Sequence, residues 1–143
     1  MTKTILCAVD INRPKEDRKV LERAAQLAVL DKAQLDVITV VPDFGANIVG
    51  AYLQDHHVET AQDKAKQLLN DLSEAALGAE VNAKTRHIVA VGSVYEKVLE
   101  TARLGKADLI VIGAHRQDFK DYLLGPNAAR IVRHSDASVY VVR

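Results

Sequence analysis

Two periods of apolar residues alternate along this chain, and they assign its elements. Thr4 to Val9, with the apolar run Ile5 to Val9, predicts the first strand. From about Lys15 to Lys32, Val20, Leu21, Ala24, Leu27 and Ala28 recur every three or four positions and predict the buried face of a helix. Leu35 to Val41 predicts a second strand. A long helix is expected from about Val58 to Leu77, with Ala61, Ala65, Leu68, Leu69, Leu72 and Ala76 on its apolar stripe and Gly78 as its stop. Val81 to Val89 predicts a strand whose alternate residues Asn82, Lys84 and Arg86 are polar, the mark of an outermost position. Ser93-Val94-Tyr95-Glu96 has the form of a capping box opening a helix whose Val94, Val98, Leu99 and Ala102 face the core. Ala107 to Ile112 is almost uninterrupted apolar sequence, as expected of a central parallel strand covered on both faces, Pro126 to His134 predicts the last helix, and Ser138 to Arg143 the last strand.

Five strands alternating with four helices predict an α/β domain built on an open, mainly parallel sheet, with residues 1–143 as a single domain. In such sheets a ligand lies beyond the carboxyl ends of the strands, where the strand order reverses. Three loops therefore carry the candidate chemistry: Asp10 after the first strand, Val40 to Asp43 after the second, and Gly113 to Arg116 after the fourth. The last is the most informative. Gly113 ends a buried strand, and Gly125-Pro126 opens a helix, with proline suited to the first helical position. Such a helix start offers N–H groups and a positive dipole end to an anion. The stretch from Pro42 to about His57 exceeds the usual connection length and is expected to be a loop able to cover a ligand.

Charge narrows the partners. Lys plus Arg and Asp plus Glu number 19 each, so the near-zero net charge gives no reason to expect nucleic acid or an anionic membrane surface. Cys7 is the only cysteine and lies in an apolar run, where it reads as a small buried side chain. No run approaches the ~18 apolar residues of a membrane span, and Ile5 to Val9 is too short for a signal-peptide core, so a soluble cytoplasmic protein is expected.

Several nucleotide motifs fail on residue identity. No glycine-rich dinucleotide fingerprint follows the first strand, and Gly45 to Tyr52 has the glycine spacing of a phosphate-binding loop but places Ala51 where its lysine belongs. Asp10 is followed by Ile11 and Asn12 rather than by a second acid, unlike a phosphoacceptor domain.

The opening TILCAVD, the glycine-serine pair at 92 and 93, the segment from Gly113 to His134 and the closing RHSDASVYVV together resemble the universal stress protein family over the whole chain. GAHRQDFKDYLLGPNAARIVRH is most similar to its F and G branch. The resemblance implies a five-stranded parallel sheet in the order 3-2-1-4-5, of the adenine nucleotide alpha hydrolase-like type. It also implies an adenine nucleotide (ATP, ADP or AMP) as ligand, with Mg2+ admissible beside the phosphates. By the same resemblance Asp10 lies near ribose and phosphates, main chain at Val40 and Val41 meets the adenine edge, and Gly113 and Gly125 admit ribose and phosphates to the backbone. A homodimer through the C-terminal strand and an unidentified protein partner are implied as well, and the apolar edge of that strand agrees with the former.

The general family motif has glycine at position 116 and serine or threonine at position 126. Here Arg116 stands at the first, the loop Gln117 to Leu124 is one residue shorter, and Pro126 stands at the second. Arg116 offers a cation in place of main-chain N–H groups. Proline has neither hydroxyl nor N–H. At about 1.5 to 3 kcal/mol for each hydrogen bond to a charged phosphate, the joint loss weakens the grip roughly tenfold to well over a hundredfold. Asn127 is placed to recover part, and a preference for AMP or ADP over ATP is expected. His115 is a candidate phosphate donor or a residue standing behind the contacts. Adjacent His56 and His57 point different ways on a helix and read as surface residues. Arg133 and His134 suit the dipole at a helix C-terminus, and Asp118, Lys120 and Asp121 read as a solvated loop face. No base accompanies these residues, so turnover beyond weak ATP hydrolysis is not expected. Two functions remain open: a nucleotide-binding stress or regulatory protein, and a dimeric interaction module that has lost tight ATP binding through Pro126 and Arg116.

Overall fold

A computed structural model of the chain describes residues 3–42, 55–114 and 125–143, with residues 55–60 described by backbone alone. Strands β1 (Thr4–Ala8), β2 (Gln34–Val41), β3 (Arg86–Val91), β4 (Leu109–Gly113) and β5 (Ser138–Val142) form one parallel sheet in the expected order β3-β2-β1-β4-β5. The described helices are α1 (Pro14–Asp31), α2 (Asp55–Leu77), α3 (Ala79–Ala83), α4 (Val94–Leu104) and α5 (Pro126–His134).

The continuity of the apolar runs follows from burial on both faces. Successive side chains of β1 point to opposite sides. Ile5 and Cys7 join Val20, Leu21, Ala24, Leu69 and Leu72 of α1 and α2, whereas Leu6 joins Ile110, Val98 and Ile131 on the side of α4 and α5. Each fully buried large aliphatic side chain contributes about 1.5–3 kcal/mol. The chain first steps outward from β1 through β2 to β3, then crosses through α4 to β4 on the other side of β1. The order therefore reverses between β1 and β4, at the carboxyl ends of those strands.

Helix α1 carries Pro14 in its first turn and ends at Lys32, whose φ of 52° is left-handed. The N–H of Ala33 closes back on the Ala28 carbonyl at 2.8 Å. Its buried face has Val20, Leu21, Ala24 and Ala28, as the spacing predicts, and also Asp17.

The third strand departs from expectation. Residues Val81 to Val89 are divided between α3, which makes a fifth helix, and β3, which starts only at Arg86. Gly78, at φ 85°, ends α2 with its N–H on the Glu74 carbonyl, and α3 begins directly after it. Asn82 is buried rather than solvent-facing: its amide nitrogen donates to Asn70 Oδ1 at 2.9 Å, and its Oδ1 pairs with His87 Nε2 at 2.8 Å. The polar alternation of Asn82, Lys84 and Arg86 thus mixes a helical junction with the first strand residue. β3 is nevertheless an outermost strand. α2 starts at Asp55, earlier than Val58, so 55–57 are helical while 43–54 lie outside the described residues. The expectation of a covering loop falls mostly on those residues. Ser93 occupies the N-cap of α4 with extended backbone, but no side-chain hydrogen bond caps the helix, and Glu96 accepts the Tyr95 hydroxyl instead. Val94 is exposed, whereas Val98 and Ala102 are buried as expected.

Candidate functional site

Asp10 leaves β1 at the switch point, flanked by β2 on one side and β4 on the other. Its Oδ1 accepts the Asn12 N–H at 2.9 Å, its carbonyl accepts the Arg13 N–H at 2.9 Å, and Arg13 Nε lies 3.9 Å from its Oδ2. This local turn, of a kind aspartate favours, leaves the Asp10 side chain 45% exposed. The carboxylate is therefore held in place yet open to a hydroxyl donor.

Behind it stands Asp17, 1% exposed, whose Oδ2 accepts the N–H of Asp10. Sequence reading missed this residue, although a signal was present: an acid at position 17 continues the spacing of Val20, Leu21, Ala24 and Ala28. An acid on an apolar stripe is buried only at a cost, which a hydrogen bond must offset. Cys7 is fully buried; burial, and then the charge of Asp17, push its thiol pKa up, so it remains an unreactive thiol in the folded protein.

Val40 and Val41 close β2 and are half-buried. The Val41 carbonyl accepts the Gly92 N–H at 2.9 Å. Gly92, at φ 138°, adopts a backbone that side chains rarely take, and a Cβ there would sit 3.0 Å from Lys97 Cε. The glycine of the 92–93 pair is thus required by the exit from β3. Gly113 ends β4 opposite Val142, and the following Ala114 N–H donates to the Val142 carbonyl at 2.8 Å.

Gly125 is the N-cap of α5, with Pro126 at its start and no side-chain cap. The Ala129 N–H takes the Gly125 carbonyl at 2.9 Å. The N–H groups of Asn127 and Ala128 have no acceptor within the helix, and Pro126 contributes none. Pro126 and Asn127 are exposed. His115 and Arg116, with Asp118, Lys120 and Asp121, lie outside the described residues. Arg133 and His134 occupy the last turn of α5 as expected.

Taken singly, these parts offer an open carboxylate that can accept hydroxyls, and main-chain amides at a helix start that can meet an anion. They do not form a metal cage, since no group of three or more His, Cys, Asp or Glu among the described residues is arranged to hold an ion. Nor does any helix of the described residues have the length and apolarity to cross a membrane.

Comparison with known proteins places the chain among relatives. The family model described as the universal stress protein family matches residues 1–143. Universal stress protein A homolog 1 of Coxiella burnetii is 29% identical over 140 residues, covering 98% of this chain and 95% of the relative. Universal stress protein G of Salmonella typhimurium is 30% identical over 145 residues, covering 100% of both chains. Among solved structures, a universal stress protein from Archaeoglobus fulgidus superposes with a TM-score of 0.72 at 18% identity, covering 100% of both chains. A universal stress protein in complex with cAMP gives 0.65 at 22% identity, over 99% of this chain and 96% of the other. One from Archaeoglobus fulgidus in complex with dAMP gives 0.66 at 14%, over 100% and 98%. At these identities the structural likeness concerns the fold.

Proposed function

The chain belongs to the universal stress protein family, and from that premise we propose that it binds an adenine nucleotide beyond the carboxyl ends of β1 and β4. The observation that carries this reading is the Asp10 carboxylate, fixed by its own turn but 45% exposed at the point where the strand order reverses. In the proposed complex Asp10 accepts ribose hydroxyls. Main chain at Val40 and Val41 meets the adenine, and Gly113, Gly125 and Asn127 take the phosphate end with His115 and Arg116. Two structural neighbours carry cAMP and dAMP, each with a single phosphate, which supports the ligand class. Because Pro126 supplies no N–H, the site is proposed to favour AMP or ADP over ATP, with any Mg2+ arriving on the nucleotide phosphates.

β5 is an edge strand whose Tyr140 is 38% exposed. We propose that two copies pair there and that the nucleotide-binding dimer acts as a stress-response or regulatory protein in the cytoplasm.

Calorimetric titration with AMP, ADP and ATP tests the reading, together with mass spectrometry of any nucleotide that co-purifies. Binding with AMP or ADP ahead of ATP is expected; equal, tight affinity for ATP and AMP contradicts the preference. The missing donor at Pro126 favours a second reading, a dimeric module without a nucleotide. That reading predicts neither heat nor co-purified nucleotide from a protein that is dimeric in sedimentation.

A further inference from the structure

We propose that Asp17 is a positioning residue of the nucleotide site, acting through Asp10. The proposal rests on the adenine-nucleotide reading, which it deepens by naming what holds the ribose-binding acid in place. Asp17 is 1% exposed and sits on the face of α1 that otherwise carries Val20, Leu21, Ala24 and Ala28 into the core. Its Oδ2 accepts the N–H of Asp10, the residue at which the chain leaves β1 for the turn. A negative charge near the start of a helix is favourable wherever it lies in the first turn, and Glu16 already supplies one there. A generic helix-start acid has no need to be buried. Burial places Asp17 under the switch point, where a rigid element grips the backbone of Asp10. The Asp10 carboxylate, fixed on its other side by the Asn12 N–H and near Arg13, is then presented in one orientation. Holding a binding group in its bound geometry beforehand spares the ligand the cost of ordering it.

The test uses the full chain as wild type, Asp17→Asn, Asp17→Ala, Asp17→Leu, Asp10→Ala and the double variant of Asp10→Ala with Asp17→Ala. Each is titrated calorimetrically with AMP, and the Asp10 amide resonance is followed by NMR. Asp17→Asn keeps an acceptor oxygen and is expected to bind AMP within about threefold of wild type. Asp17→Ala or Asp17→Leu, whichever folds, is expected to weaken binding roughly tenfold. In the Asp10→Ala background the loss of Asp17 adds less than about twofold, because the two act as one unit. Wild-type affinity in the Asp17→Ala or Asp17→Leu variant, or an equal loss in both backgrounds, overturns the proposal; so does failure of Asp17→Asn to restore binding. If wild type takes up no AMP, the nucleotide reading falls separately and the Asp10 amide decides. A resonance that moves upfield in Asp17→Ala or Asp17→Leu and stays in Asp17→Asn upholds the positioning role; one that moves in neither overturns it.

Discussion

Asp36 and Asp17 are both buried carboxylates, 6% and 1% exposed, at opposite ends of the sheet, and they are satisfied in opposite ways. Asp36 lies near the amino end of β2, in register with Arg86, the first residue of the edge strand β3. The two meet as a bidentate pair, Arg86 Nε to Oδ1 at 2.6 Å and Nη2 to Oδ2 at 2.9 Å. The hydrogen bond to Asp36, and then its charge, raise the Arg86 pKa. Asp17 lies at the carboxyl end and takes a main-chain N–H from the site loop. A charge-charge pair between neighbouring strands fixes register; a carboxylate on a loop N–H fixes where another side chain points. The amino end of the sheet thus uses its buried acid for the fold, and the carboxyl end uses its own for the site.

Breaking the amino-end pair should have the largest effect on stability. Arg86→Ala leaves the Asp36 carboxylate buried without its guanidinium, and a loss of roughly 2–3 kcal/mol is expected in urea unfolding. The cost belongs to the buried acid, since the Arg86 side chain is itself 62% exposed. AMP affinity should not follow. Asp10→Ala should do the reverse: AMP affinity falls about ten- to a hundredfold in calorimetry, the equivalent of one or more hydrogen bonds to a charged group, while the urea midpoint moves less than for Arg86→Ala. Pro126→Ser restores the N–H and hydroxyl at the start of α5, and a gain of about tenfold in ATP affinity, larger than that for AMP, is expected from the same titration.

The smallest effect concerns pH at the amino end. Burial, and then the charge of Lys66, lower the His87 pKa, so the folded protein binds a proton there less readily than the unfolded chain. The stability from His87 is complete above the unfolded value of about 6.5 and declines as pH falls from there toward the lower folded value. Thermal melts across that range should show the decline in wild type and a flatter profile in His87→Gln, with no matching change in AMP affinity.

How much of this was legible in the sequence depended on the distance over which each feature is encoded. The apolar runs of β1 and β4 and the stripes of α1 and α2 are local patterns, and the structure keeps them except at Leu68 of α2, which is 39% exposed. Asp10, Gly113, Gly125 and Pro126 stand in motifs that resemblance could align, and they fall on the exits of β1 and β4 and the start of α5. α3 escaped because a helix of 5 residues does not form on its own propensity. It is accompanied by the Asn70–Asn82–His87 hydrogen bonds, which join residues distant in sequence. The Asp36–Arg86 pair spans 50 residues and depends on strand register, which no local pattern reports. Asp17 was the readable case left unread, since its place on the α1 stripe was visible and only its partner was not.

The division between the two ends of the sheet is tested most directly by an NMR titration of the 15N-labelled protein with AMP, following backbone amide shifts. Shifts should concentrate at Asp10, Val41, Gly113 and Asn127, with Arg86 and His87 unmoved. Shifts centred on Arg86 and His87, or none at saturating AMP, would contradict the account.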